Sequence, residues 1–306
     1  MKRTIQLSLI FMLTFFSVSR AKSFQEAKTS ADPSGPKTPQ SAVQRIMVNR
    51  ANVHVEVWVQ GSGPVIVILP SLGRGAGDYD AVAARLAADG FRVLRPQPRG
   101  IGASTGPMTG LTLHDYAADV AAVIEQENGG PVVVVGHAFG NFVARMLATD
   151  RPDLVRGVVL AAASAGKVPP GVHELPISPE VREAIDKSGD ASLPQADRLR
   201  YMKLAFFAPG HDPRVWLMGW EPEAMKAERA AETTPPVDVW FACGNAPILD
   251  LQAENDAVAP RKFAGVLKAA LGDRVTVVVI PNAGHALAPE QPQAMAKAIE
   301  DFARIL

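Results

Sequence analysis

The sequence predicts an α/β protein with a mostly parallel central sheet flanked by helices. Three observations predict it. Residues 65–69 (VIVIL) and 132–135 (four consecutive valines) are unbroken apolar runs, as expected of strands covered on both faces. Helical stretches alternate with such strands along much of the chain, the order that parallel pairing requires. Finally, Gly136-His137-Ala138-Phe139-Gly140 directly follows the all-valine strand and opens a helix, so the chain must turn tightly there.

The elements follow in order. Val53, Val55, Val57 and Val59 alternate with His54, Glu56 and Trp58, predicting a half-exposed strand. Gly61-Ser62-Gly63 reads as a turn into the strand at 65–69. A helix is expected at 79–89, a strand at 91–94, a helix at 113–126, the strand at 132–135, a helix at 142–148 and a strand at 155–161. The alternation then stops. Residues 165–236 are rich in proline and carry Trp216, Trp220 and the apolar cluster 204–207, which predicts an inserted, mostly helical cap. A strand at 248–251, a helix at 261–271, a strand at 275–280 and a last helix from about 290 complete the series.

The N-terminus has a different character. Lys2 and Arg3 precede an uncharged apolar stretch, residues 5–18, and Ser19-Arg20-Ala21 puts small residues where a leader would be cut. This layout predicts a signal peptide at 1–21 and an exported protein, periplasmic or secreted. The apolar stretch is short for a membrane span, which needs about 20 residues. Residues 22–42, rich in Lys, Ser, Pro and Thr, read as a flexible linker to one domain at 43–306. Basic and acidic residues number 31 each, and removing the leader takes Lys2, Arg3 and Arg20 but no acid, leaving 28 against 31. A chain of that balance has no global attraction for nucleic acid. Cys243 is the only cysteine, so an internal disulfide and a Cys-rich zinc site are excluded.

Three features lie in chain order around the turn at 136–140. Pro70-Ser71-Leu72-Gly73-Arg74-Gly75 follows the strand at 65–69. Ala253-Glu254-Asn255-Asp256 follows the strand at 248–251. Asn282-Ala283-Gly284-His285 precedes the last helix. With Arg99-Gly100-Ile101-Gly102-Ala103-Ser104, an R-G-x-G-x-S loop, they make the chain resemble the α/β-hydrolase superfamily over about residues 43–306. The branch it resembles carries a helical cap between the sixth and seventh strands, as in epoxide hydrolases and esterases. The resemblance implies that residues 136–140 form the nucleophile elbow G-x-S-x-G. It further implies His285 as the base, Asp256 as its orienting acid with Glu254 as runner-up, and the N–H groups of Leu72 and Phe139 as oxyanion donors.

The departure from the pattern is Ala138, at the position of the nucleophile. Alanine has no lone pair to attack with, so a covalent mechanism through residue 138 is excluded by composition. The glycine common in the family's oxyanion loop is likewise replaced, by Ser71. Two expectations follow. In one, the His285–Asp256 pair activates a water in the space left by Ala138, or Ser71 supplies a substitute hydroxyl, and a small apolar ester, lactone or related molecule is hydrolysed. In the other, the pocket binds a carbonyl or carboxylate ligand without cleaving it.

The remaining features favour plainer roles. His137 is expected to pack at the strand end, and His54, His114, His173 and His211 show no spacing that suggests metal ligands. Arg74 and Arg99 read as exposed loop arginines, and Phe206, Phe207, Trp216 and Trp220 as cap packing or pocket lining. No dinucleotide or phosphate-binding fingerprint is present, so no metal or organic cofactor is implied. The expected partner is a small molecule. No nucleic acid and no stable membrane span after leader removal are expected.

Overall fold

A computed structural model describes residues 42–306; the leader expected at 1–21 and the linker, apart from Ala42, lie outside the described residues. Among the described residues there are eight strands: β1 (Gln44–Arg50), β2 (Val53–Gly61), β3 (Val65–Leu69), β4 (Arg92–Pro96), β5 (Val132–His137), β6 (Val155–Ala161), β7 (Ile248–Ala253) and β8 (Val275–Ile280). They form one sheet in the order β1-β2-β4-β3-β5-β6-β7-β8. β2 pairs antiparallel with β1 and with β4, and every pairing from β4 to β8 is parallel.

The valine run of β5 shows why the sheet is covered on both sides. Val134 pairs in register with Val67 of β3 and Val158 of β6. Val132 and Val134 join one core with Val123 and Leu147, from α2 (Leu113–Gln126) and α3 (Phe139–Asp150). Val133 and Val135 join the opposite core with Leu86 and Ile299, from α1 (Asp80–Ala88) and α10 (Pro292–Arg304). Successive side chains of a strand point to opposite faces, so a strand sandwiched between helices must be apolar at every position. Each fully buried valine contributes about 1.5 kcal/mol or more.

Between β6 and β7 the chain forms α4 (Pro179–Ser188), α5 (Gln195–Ala205), α6 (Pro222–Ala231) and α7 (Val237–Trp240). The prolines that interrupt the sequence pattern start these helices. Pro179 and Pro222 occupy the first turns of α4 and α6, and Pro194 and Pro236 are the caps of α5 and α7. Proline is tolerated there because the first turn leaves its N–H positions unpaired. Ile185, Met202, Phe206, Phe207 and Trp216 make a third core, which also contains Ala286, next to His285. α8 (Gly265–Leu271) and α9 (Leu287–Glu290) complete the fold.

Several sequence expectations need correction. β1 was not foreseen: only Val48 of its seven residues is buried, so the alternation is too faint to read. β2 is not half-exposed. It lies inside the sheet, and Glu56 and Gln60 are buried on its second face. Glu56 accepts bonds from Ala103 N at 2.8 Å and Trp58 Nε1 at 3.1 Å, so the R-G-x-G-x-S loop covers that face. The helix expected at 261–271 begins as a 3-10 turn, with α8 starting at Gly265. Among the described residues, no helix is long and apolar enough to cross a membrane.

Candidate active site

The turn after β5 brings the first site residue to the cavity wall. Ala138 caps α3 with φ 48° and ψ −111°, a conformation that an L residue adopts at a cost of about 1–3 kcal/mol. Its two glycines explain how the turn fits. A Cβ on Gly136 would lie 2.4 Å from Gly140 O, and one on Gly140 would lie 2.5 Å from Leu69 O. Ala138 N–H donates to Ala161 O at 3.1 Å, and Gly140 N–H to Pro70 O at 3.1 Å. The Asn141 amide donates to Ala138 O, and its own oxygen accepts from the buried Arg145 at 3.3 Å. The backbone shape of a nucleophile elbow is thus held by close packing, although the side chain at its tip is a methyl.

His285 reaches the cavity from the loop after β8. Its Nδ1 faces both carboxylate oxygens of Asp256, at 3.1 and 3.0 Å, and both side chains are buried. Asp256 is itself fixed, because Oδ1 accepts from Val258 N and Ala259 N, each at 2.8 Å. Nδ1 donating to a carboxylate leaves Nε2 as the basic nitrogen, and among the described residues Nε2 has no hydrogen-bond partner. Glu254, the runner-up acid, accepts from Asn282 N at 2.9 Å at an exposed position and does not meet the imidazole. The His285 loop is held from below by Glu290, which accepts from Gly284 N at 2.6 Å and from Ala208 N at 2.7 Å.

The loop after β3 supplies Ser71 and Leu72. Among the described residues, neither the Leu72 N–H nor the Phe139 N–H has a hydrogen-bond partner, and both residues line the cavity. A buried relay ties the three loops together. Ser71 N–H donates to Tyr79 Oη at 3.1 Å, Tyr79 O–H donates to His137 Nδ1 at 2.7 Å, and His137 Nε2–H donates to the carbonyl of His285 at 2.7 Å. Burial pushes the His137 imidazole down to about 3, so it stays neutral, as this one-donor, one-acceptor role requires. His137 therefore packs at the strand end as expected, and adds a structural bond that sequence alone did not reveal.

Ser71, Leu72, Ala138, Phe139 and His285 line one cavity, with Phe142, Ile185, Phe206 and Trp220 on its apolar walls. About 90 Å3 of it is open to the centres of water molecules, room for several waters or a small organic molecule. Of the four cap aromatics, Phe206 and Trp220 line the cavity, whereas Trp216 and Phe207 pack in the cap core.

Arg74 and Arg99 are not exposed loop arginines. Arg74 pairs with Asp78 at 2.7 Å and Arg99 with Asp119 at 2.7 Å, both buried, so neither is free to meet a substrate. Sequence reasoning also missed Glu228. It accepts from Gly73 N at 2.6 Å and so grips the Leu72 loop from α6. The signal was a lone glutamate among Ala224, Ala227 and Ala231 on the buried face of that helix.

Burial pushes the Glu228 carboxyl up from 4.5 to about 8. The folded chain therefore keeps a proton that the unfolded chain gives up, and stability falls as pH rises through that window. Glu228→Gln removes this loss. Its melting temperature, measured against wild type from pH 5 to 9, is expected to gain steadily on wild type as pH rises. A constant difference across the range would refute the assignment.

The fold and the site together define an α/β-hydrolase arrangement, with Ala138 on the strand-to-helix turn and His285 hydrogen-bonded to Asp256. A model described as "Alpha/beta hydrolase family" matches residues 66–298, and the chain belongs to that family. It is similar to a soluble epoxide hydrolase of Corynebacterium sp. (strain C12), 25% identical over 269 residues that span 81% of this chain and 92% of that protein. It is also similar to a 2-(acetamidomethylene)succinate hydrolase of Mesorhizobium japonicum, 32% identical over 116 residues, 38% of this chain and 41% of that protein. A thermophilic esterase from Thermogutta terrifontis has the same fold, with a TM-score of 0.68, 21% identity and coverage of 86% of this chain and 98% of the esterase.

Proposed function

We propose that the chain hydrolyses a small apolar ester, lactone or related carbonyl compound without a covalent intermediate. The observation that carries this reading is the buried His285–Asp256 pair, 3.0 Å apart, whose imidazole lines the same cavity as Ala138. His285 Nε2 takes a proton from a water lying in the space that a serine hydroxyl would fill. The resulting hydroxide attacks the carbonyl carbon, and the Leu72 and Phe139 N–H groups stabilise the developing oxyanion. Collapse breaks the bond to the leaving oxygen, which receives the proton from His285, giving acid and alcohol. Asp256 holds the imidazole in the tautomer this needs and stabilises its charged form. Ser71, on the same wall, is the alternative hydroxyl; its attack is a separate route, through an acyl-serine that a water then hydrolyses.

The test is turnover of a panel of small esters, lactones and epoxides, with His285→Ala as control. Loss of the base is expected to lower the rate by about a hundredfold or more. Equal rates for the two proteins would discard the reading.

The methyl at 138 favours a second reading, in which the cavity holds a carbonyl or carboxylate ligand and releases it unchanged. Ligands that raise the melting temperature and are recovered intact support it, and recovery as hydrolysis products excludes it.

A further inference from the structure

The loop that bears Ser71 and Leu72 is held from two sides. On the sheet side, Gly140 N–H donates to Pro70 O at 3.1 Å and Ser71 N–H donates to Tyr79 Oη at 3.1 Å. On the other side, the segment between β6 and β7 holds the residues just beyond. Gly73 N–H donates to Glu228 Oε2 at 2.6 Å, Gly73 O accepts from Glu221 N at 3.0 Å, and Arg74 Nη1 donates to Met218 O at 2.8 Å. Leu72 lies between the two anchorages. Its N–H belongs to the same peptide unit as Ser71 O, which accepts from Arg74 N at 3.0 Å and closes a four-residue turn with Gly73 at φ 63°. The direction of the Leu72 N–H is therefore set by how this turn is clamped at Gly73 and Arg74.

Glu228 is the costly part of the clamp. Its side chain is fully buried and, among the described residues, makes one hydrogen bond, to Gly73, while Oε1 has no partner. A buried carboxyl with one unanswered oxygen destabilises a fold, and the other buried residues of α6 are the alanines 224, 227 and 231. An apolar side chain at 228 would avoid that cost but would leave Gly73 N–H without its acceptor. α6 also sits directly on the turn, because a Cβ on Gly73 would lie 2.8 Å from Met225 Cβ.

We propose that Glu228 is a positioning residue, which latches the turn at 71–74 to α6 so that the Leu72 N–H is presented to the cavity only while the latch is closed. The latch deepens the hydrolase reading, and rests on it only for the use of that N–H as an oxyanion donor. It also responds to protons. Burial pushes the Glu228 carboxyl up from 4.5 to about 8, whereas an unlatched, hydrated carboxyl returns to its ordinary value. The latch is therefore tightest below 4.5 and loosens as pH rises to about 8. The titratable groups that face Glu228, Tyr116 of α2 and Tyr79 just before α1, are both pushed up by burial and stay neutral across that range.

The full chain is compared with Glu228→Gln, which keeps an acceptor for Gly73 N–H and does not titrate, and with Glu228→Met, which removes the acceptor. Hydrogen exchange over residues 71–74 is expected to quicken by about tenfold or more in Glu228→Met and to change little in Glu228→Gln, with exchange of β5 unchanged in both. For 4-nitrophenyl acetate, kcat is expected to fall by about tenfold or more in Glu228→Met with KM within about twofold, because the oxyanion forms only in the transition state. Glu228→Gln is expected to recover most of that loss. From pH 5 to 8, wild-type exchange over 71–74, relative to Glu228→Gln at the same pH, is expected to rise. This comparison holds even where Glu228→Met does not fold, and a constant ratio would overturn the latch. Exchange over 71–74 within about twofold of wild type in a folded Glu228→Met would also overturn it. Faster exchange there, with no ester turned over by any of the three proteins, would keep the latch and remove the hydrolase reading. Turnover by the wild type with kcat unchanged in Glu228→Met would do the reverse.

Discussion

Replacing Ala138 with serine is expected to raise ester hydrolysis by about three orders of magnitude or more, with a burst of acyl-enzyme. The expectation rests on parts already in place. The backbone at 138 has the strained shape of an elbow, His285 Nε2 is without a partner, Asp256 holds Nδ1, and the Leu72 and Phe139 N–H groups are unpaired among the described residues. On the roles proposed for His285, Asp256, Leu72 and Phe139, a serine hydroxyl at 138 would gain a base, an orienting acid and an oxyanion site in one step. The gain must vanish in the double variant Ala138→Ser, His285→Ala, because the hydroxyl is inert until its proton is taken. A folded Ala138→Ser protein with no added turnover and no acyl-enzyme would mean that the cavity does not hold a carbonyl in attack geometry.

The second large effect concerns stability. Gly140→Ala is expected to destabilise the fold by about 3 kcal/mol or more, because overpacking against backbone is seldom relieved by side-chain movement. The new Cβ would lie 2.5 Å from Leu69 O and 2.7 Å from Pro70 O, both main-chain atoms. Leu69 is locked in the β3–β5 ladder, and Pro70 O already accepts from Gly140 N. The first turn of α3 would have to lift away from the end of β3, carrying Phe139 away from the loop that bears Ser71 and Leu72. For a chain of this size the loss corresponds to roughly 6–12 °C in melting temperature. Gly265→Ala is the control, since a Cβ there meets nothing within 4 Å. Equal melting temperatures for the two variants would show that the elbow is not packed as described.

Much of the scaffold was legible in the sequence. The strands at 132–137 and 155–161 and the helix at 113–126 announce themselves by local period, and the turn at 136–140 by glycines on either side of a strand end. The placing of His285 and Asp256 on loops after consecutive strands of a parallel sheet follows from the same order. Less legible were β1, whose single buried residue gives no period, and β2, whose polar positions are buried by a loop some 50 residues further on. The choice between Glu254 and Asp256 was also a tertiary matter. Both lie on one short loop, and only the N–H groups of Val258 and Ala259 turn the second of them toward the imidazole.

The absence of a nucleophilic atom at 138 was determined by the sequence alone, because no folding can add a lone pair to a methyl group. So was the succession of strands and helices, because apolar period is a property of neighbouring residues. The fate of the charges was decided only by the tertiary structure. Arg74 and Arg99 are buried against carboxylates, and Glu228 grips the Leu72 loop from α6. Ion pairing and burial depend on distances between residues remote in the chain, and nothing in the local pattern encodes those distances.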